Sequence, residues 1–125
     1  MLARVPHRGK SLILHVEDNQ AQSDVLKIIL EGNGFSVMSA HTADEALRIL
    51  REAPVSLVLA DHMLSGSEGT ELAARIKSFK PNVPVVLHSG AQPASMRHLD
   101  GFIHKGESVR DLVAFLSELI ERFWE

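Results

Sequence analysis

The sequence predicts an α/β domain built on a doubly wound, five-stranded parallel sheet, and two observations predict it. Five short apolar runs, roughly 11 to 16, 36 to 39, 55 to 60, 84 to 88 and 101 to 104, alternate with stretches of helical period. The runs are apolar and β-branched, as strands covered on both faces are. Alternating β and α segments joined by right-handed crossovers place helices on both sides of one sheet. At 125 residues and 45% apolar content, the chain has material for one such domain with one ordinary core.

Residues 1–10 carry Arg4, His7, Arg8 and Lys10 with a proline and a glycine, and no apolar period to bury. They are expected to form a flexible tail, leaving 11–125 as the domain. After the first strand, Ala21 to Glu31 sets Val25, Leu26, Ile28 and Ile29 at helical spacing, and Gly32-Asn33-Gly34 stops the helix. The second helix opens on Thr42-Ala43-Asp44-Glu45, a capping box, and its stripe is Ala46, Leu47, Ile49 and Leu50. A third, about Thr70 to Phe79, buries Leu72, Ala73, Ile76 and Phe79 until Pro81 and Pro84 close it. The last, about Ser108 to Phe123, repeats Val109, Leu112, Val113, Leu116, Leu119, Ile120 and Phe123 at three and four spacing.

The chemistry sits where the strands end. Glu17 and Asp18 follow the first run, Asp61 the third, Ser89 the fourth and Lys105 the fifth. Open parallel sheets bind ligands at this carboxyl edge. Three acids there make a hard-oxygen site suited to Mg²⁺. Without a cation they repel, by ~4 kcal/mol for two charges ~4 Å apart at an effective dielectric of 20. Asp61 stands alone at its strand end, placed to attack phosphorus as a carboxylate nucleophile. Ser89 and Lys105 supply a hydroxyl donor and a positive charge for the transferred oxygens. Gly66, Gly69, Gly90 and Gly106 lie beside these residues, where backbone is expected to approach a ligand closely.

Thirteen basic and 16 acidic residues give a net charge of −3, without the basic excess that direct nucleic-acid binding requires. There are no cysteines, so disulfides and thiolate metal sites are excluded. The N-terminus lacks the apolar region of a signal peptide, and no apolar run reaches the ~20 residues of a membrane span. A cytoplasmic domain without membrane contact is the expectation.

On these residues the chain resembles the receiver domain of two-component response regulators over about 11 to 124. Val16-Glu17-Asp18-Asn19 is similar to that family's acidic pair, Asp61 through Gly69 to its phosphoacceptor loop, Ser89-Gly90 to its hydroxyl position and Phe102-Ile103-His104-Lys105 to its lysine strand. The resemblance implies a flavodoxin-like sheet of order 2-1-3-4-5. It implies that Asp61 takes a phosphoryl group from a histidine kinase or histidine phosphotransfer protein. Mg²⁺ would be held by Asp18, Asp61, the Met63 carbonyl and, through water, Glu17. Ser89 and Phe102 would form the pair that reports phosphorylation to a partner. Three departures stand out. Ser65 and Gly106 occupy positions where the family usually has proline, and only fifteen residues separate Ser89 from Lys105, with Pro93 among them. The fourth helix is therefore expected to be shortened or irregular.

Singly, each of these residues has a bland explanation: a strand-end Asp as a helix cap, a Ser as a loop residue, a Lys as a solvated charge, Phe102 as core. Their joint placement favours a site. The histidines fit no metal motif. On strands, His88 and His104 are expected to point away from the face used by Ser89 and Lys105, with His62 at the rim. The favoured function is a signalling switch whose catalysis is its own phosphoryl transfer and autodephosphorylation. One alternative is a receiver-like interaction module that does not use phosphate. Another is a metal-dependent phosphohydrolase, against which Met63 occupies the place of a second acid two residues after Asp61.

Overall fold

The structure is a computed structural model that describes residues 10–124; of the expected tail, residues 1–9 lie outside the described residues. β1 (Leu12–Val16), α1 (Gln20–Gly32), β2 (Ser36–Ala40), α2 (Ala43–Glu52) and β3 (Leu57–Asp61) come first. A small pair follows, β4 (Met63–Leu64) and β5 (Ser67–Glu68), then α3 (Gly69–Phe79), β6 (Val85–Ser89), β7 (Gly101–His104) and α4 (Val109–Trp124). The main sheet is parallel throughout, in the order β2-β1-β3-β6-β7. Counting its strands alone, that is the expected 2-1-3-4-5.

Strand alternation divides the interior into two layers. Leu14, Val16, Val58, Ala60 and Val85 face α2 and α3, where Leu47, Leu50, Leu72 and Ile76 close one core. Ile13, Leu57, Leu59, Val86 and Ile103 face the other way, against Leu30 of α1 and Leu112, Leu116, Leu119 and Ile120 of α4. The three central strands, β1, β3 and β6, are thus buried on both faces, and the carboxyl ends of the sheet emerge together along one edge.

Several local expectations are corrected. On α1 the buried face is Ser23, Leu26 and Leu30, while Val25 and Ile28 stand 56% and 71% exposed. A serine in the inward stripe hides its true phase from a reading based on hydrophobicity. Phe79 is partly exposed as well, beneath the Arg51 guanidinium at 5.6 Å from the ring centroid. Val109 begins α4 in solvent. At α2, Thr42 Oγ1 accepts the Glu45 N–H (3.1 Å) as expected, but the Glu45 carboxylate accepts from His41 N–H (2.7 Å) rather than from Thr42.

The shortened fourth helix is reduced further, to an irregular segment: residues 90–100 contain no helix. Gly90 and Pro93 disfavour one, and Leu99 is the segment's apolar contact with the core. The segment is fixed at its far end. The Asp100 N–H donates to Val85 O, its carboxylate accepts the Val85 N–H (both 2.8 Å), and Lys77 Nζ lies 2.7 Å from Asp100 Oδ2. Lys77 also donates to the Val83 carbonyl at 2.8 Å, so one ammonium joins α3, the approach to β6 and the approach to β7.

Candidate functional site

The β1 end places a deeply buried acid beside an exposed one. Glu17 is 3% exposed, and its Oε2 accepts the Asn19 N–H at 3.1 Å. Asn19 in turn caps α1, accepting the Gln22 N–H at 2.9 Å. This turn fixes the direction in which the paired acids leave the strand. Asp18 points outward, and its Oδ2 accepts from Ser65 Oγ at 2.9 Å. Ser65, where the resemblance implies proline, thereby ties the loop after Asp61 to the acidic pair.

Asp61 ends β3 in the centre of the sheet. Its Oδ1 accepts the His62 N–H at 2.9 Å. The loop beyond it turns back through β4 and β5, whose register pairs Met63 with Glu68 and Leu64 with Ser67. Gly66, at φ +77°, makes the intervening turn. Gly69 starts α3 directly beneath the Asp61 carbonyl oxygen, where a Cβ would collide with that oxygen and with Leu87 Cδ1. The expected reason for glycine is thus refined: Gly69 admits the Asp61 backbone itself, and Gly90 has open space where a Cβ would stand.

Lys105 joins the acids. Its Nζ lies 3.3 Å from Asp61 Oδ1 and 3.4 Å from Glu17 Oε1, and donates to Gln22 Oε1 at 3.0 Å. Its backbone N–H donates to Ser89 O at 2.9 Å, locking β7 to β6 at the site. One carboxylate oxygen from each of Glu17, Asp18 and Asp61 lies within 4.8 Å of the others. Burial raises the Glu17 pKa above its usual value and the Asp61 charge adds to the rise, while the Asn19 N–H and Lys105 oppose it. Three oxygens this close, one of them desolvated, fit a small hard dication: its charge would relieve the repulsion that one lysine only partly offsets.

Ser89 is buried at the end of β6, its Oγ accepting the Ala91 N–H at 3.2 Å. Phe102 is half-buried on β7, where it pairs with Leu87, two residues before Ser89. It lines an edge pocket with Phe115 and Asp111. Met63 turns its side chain outward, 61% exposed. The expectation for His88 fails in one respect. His88 shares a cleft with Lys105, because the register pairs His88 with Ile103, two residues before Lys105, so strand alternation sets the two on one face of the sheet. Burial, then the neighbouring positive charge of Lys105, lowers the His88 pKa to about 4.

Sequence reasoning missed three participants. Gln22 accepts from the lysine, and its signal was its position one turn beyond the acidic pair. Ser65 departs from the expected proline, and no sequence pattern signals its bond to Asp18. His15, in the middle of an apolar run, is 2% exposed and held neutral, its pKa lowered to about 4 first by burial and then by His88 and Lys105.

Known proteins show the same arrangement of strands. The chain is 40% identical over 78 residues to an uncharacterized transcriptional regulatory protein, YkoG, of Bacillus subtilis, covering 62% of this chain and 34% of that one. It is 32% identical over 118 residues to the phosphate regulon transcriptional regulatory protein PhoB of Escherichia coli, covering 88% of this chain and 52% of PhoB. It thus spans about half or less of these relatives. A CheY-like response regulator receiver domain protein from Methanospirillum hungatei superposes with a TM-score of 0.85 at 30% identity, over 91% of this chain and 96% of the other. The response regulator TrrA of Thermotoga maritima, solved in complex with Mg(2+)-BeF, superposes with a TM-score of 0.81 at 24% identity, over 87% of this chain and 98% of the other. Residues 13–117 match the response regulator receiver domain family, and the chain belongs to it.

Proposed function

We propose that Asp61 is the phosphoacceptor of this receiver and that a histidine kinase or histidine phosphotransfer protein is its donor. The observation that carries the reading is the position of Lys105 Nζ, within 3.4 Å of both Asp61 Oδ1 and Glu17 Oε1, beside three convergent carboxylates. Glu17, Asp18, Asp61 and the Met63 carbonyl are the groups that would hold Mg²⁺. Bound there, the ion neutralises charge and polarises the phosphoryl oxygens. An Asp61 oxygen attacks phosphorus, an acyl phosphate bond forms, and the bond to the donor's imidazole nitrogen breaks with its electron pair returning to the ring. Lys105 pairs with a developing phosphoryl oxygen, and the Ser89 hydroxyl donates to another after releasing its contact with the Ala91 N–H. Phe102, two residues from Ser89 across the β6–β7 pair, then moves from its half-buried edge position and reports the state to a downstream partner. Later hydrolysis of the acyl phosphate resets the switch.

The Mg(2+)-BeF complex of TrrA supports the metal, and the names of the curated relatives support an output partner. Among the described residues no helix is long and apolar enough to cross a membrane, and with the charge balance this supports a cytoplasmic setting without direct nucleic-acid contact. Incubation with acetyl phosphate and Mg²⁺ tests the reading. One metal-dependent acyl phosphate per chain is expected. No incorporation would favour a phosphorylation-independent interaction module, and sustained release of phosphate would favour a phosphohydrolase.

A further inference from the structure

Asp18 is the least supported of the three convergent acids. Glu17 is buried and Asp61 ends the middle strand of the sheet, whereas Asp18 stands exposed on the turn after β1. Among the described residues one side chain holds it: Ser65, 47 positions along the chain, whose Oγ donates to Asp18 Oδ2 at 2.9 Å. Without that bond an exposed carboxylate spreads over its rotamers, and an ion has to collect it at an entropic cost.

The donor, unlike the acid, is braced. The loop from His62 to Gly69 is closed at its base by the Gly69 N–H on His62 O, at 2.7 Å. β4 and β5 pair along it, Leu64 is buried, and Gly66 makes the turn at φ +77°. At its far end the Glu68 N–H donates to Glu71 Oε1 at 2.9 Å and fixes the start of α3. Ser65 lies between the buried leucine and the left-handed glycine, so a paired ribbon sets the position of its hydroxyl. The same ribbon carries the Met63 carbonyl, the remaining group of the metal site described above. A carboxylate offers two oxygens, each with more than one lone pair, so a hydroxyl and a cation can share it.

We propose that Ser65 is a positioning residue for the metal: its hydroxyl sets the Asp18 carboxylate and ties it to the ribbon that carries the Met63 carbonyl, so the cation meets a set already assembled. The proposal rests on the reading of Glu17, Asp18 and Asp61 as the Mg²⁺ centre. Removing a hydrogen-bond partner of a metal ligand typically costs roughly 10- to 100-fold in metal affinity, and an exposed hydroxyl belongs at the low end of that range.

Mg²⁺ titration of the metal-free protein, followed by the amide NMR shifts of Asp18, Asp61 and Met63, tests it with three variants. Ser65→Ala should weaken Mg²⁺ binding about tenfold. Ser65→Thr keeps the hydroxyl and should bind close to wild type. The backbone accepts both changes, since among the described non-glycine residues only His98 has a left-handed φ. Ser67→Ala is the control, because Ser67 sits on the same ribbon but its Oγ donates to the Glu68 carbonyl at 3.4 Å rather than to an acid. That variant should keep the wild-type affinity. Unchanged or tighter binding by Ser65→Ala would overturn this proposal alone. So would a threonine variant as weak as the alanine one, or equal weakening by Ser67→Ala, which would assign the effect to general loosening of the loop. A wild-type protein without saturable Mg²⁺ binding would overturn the metal reading beneath it as well.

Discussion

Folding brings Glu17 into a place where its charge is unfavourable, because the carboxylate loses water and faces Asp61, and only the Asn19 N–H and Lys105 answer it. Its folded pKa lies above the unfolded value, so the folded state holds that proton more tightly. The ionised group therefore reduces stability above its folded pKa, and the penalty fades as pH falls toward 4.5. Glu17→Gln is therefore expected to raise metal-free stability at pH 7, seen as a higher Tm, and by less at pH 5. Thermal melts at the two pH values check this. Mg²⁺ titrations separate the metal roles: Asp18→Ala should weaken binding more than Glu17→Gln, if Asp18 is a direct ligand and Glu17 acts through water. Equal losses would contradict that division. Gly69 constrains the same centre sterically. Gly69→Ala would push a methyl group against the Asp61 carbonyl and Leu87, and should cost about 1–3 kcal/mol in denaturant melts.

Two strands carry a pH liability that composition could not reveal. His15 on β1 and His88 on β6 are held neutral, each with its pKa lowered from 6.5 to about 4. The unfolded chain binds these protons first as pH falls. Their contribution to stability is complete above pH 6.5 and is lost between 6.5 and 4, at up to ~1.4 kcal/mol per pH unit for each histidine. Chemical denaturation across that window should show the slope, and His15→Leu should flatten it. The crossover between β6 and β7 differs in kind from the others. It is tethered by Asp100 to Val85 and Lys77 at one end and by Leu99 to the core, with no helix between. Hydrogen exchange should find residues 90–98 the least protected of the internal segments, and slower after addition of beryllofluoride with Mg²⁺. Strand-like protection in the free protein, or no change on activation, would make the crossover rigid scaffold. Pattern readings succeeded for the elements that bury a wide stripe, as α2 does with Ala46, Leu47, Ile49 and Leu50. They failed where a polar residue sat inward, as Ser23 does on α1, and where strands of two residues, β4 and β5, were too short to show any period.

At the level of the whole molecule, the strand ends were legible because a parallel sheet converts sequence order into spatial order. Each apolar run delivers whatever follows it to the same edge, so Glu17, Asp18, Asp61 and Lys105 meet although the chain separates the first from the last by 88 positions. What sequence did not disclose was lateral: Ser65 on Asp18 and Gln22 on Lys105 depend on side-chain reach, and His88 beside the lysine depends on the β6–β7 register. On the proposed reading, this edge is a single Mg²⁺-dependent phosphoacceptor centred on Asp61. Labelling the wild-type chain and Asp61→Asn from acetyl phosphate, with and without Mg²⁺, tests it most directly, because the amide is nearly isosteric yet cannot serve as the attacking carboxylate. An acid-stable, hydroxylamine-labile phosphate is expected on the wild type only when Mg²⁺ is present, and none on a folded Asp61→Asn protein. Full labelling of that variant, or labelling of the wild type that ignores Mg²⁺, would contradict it.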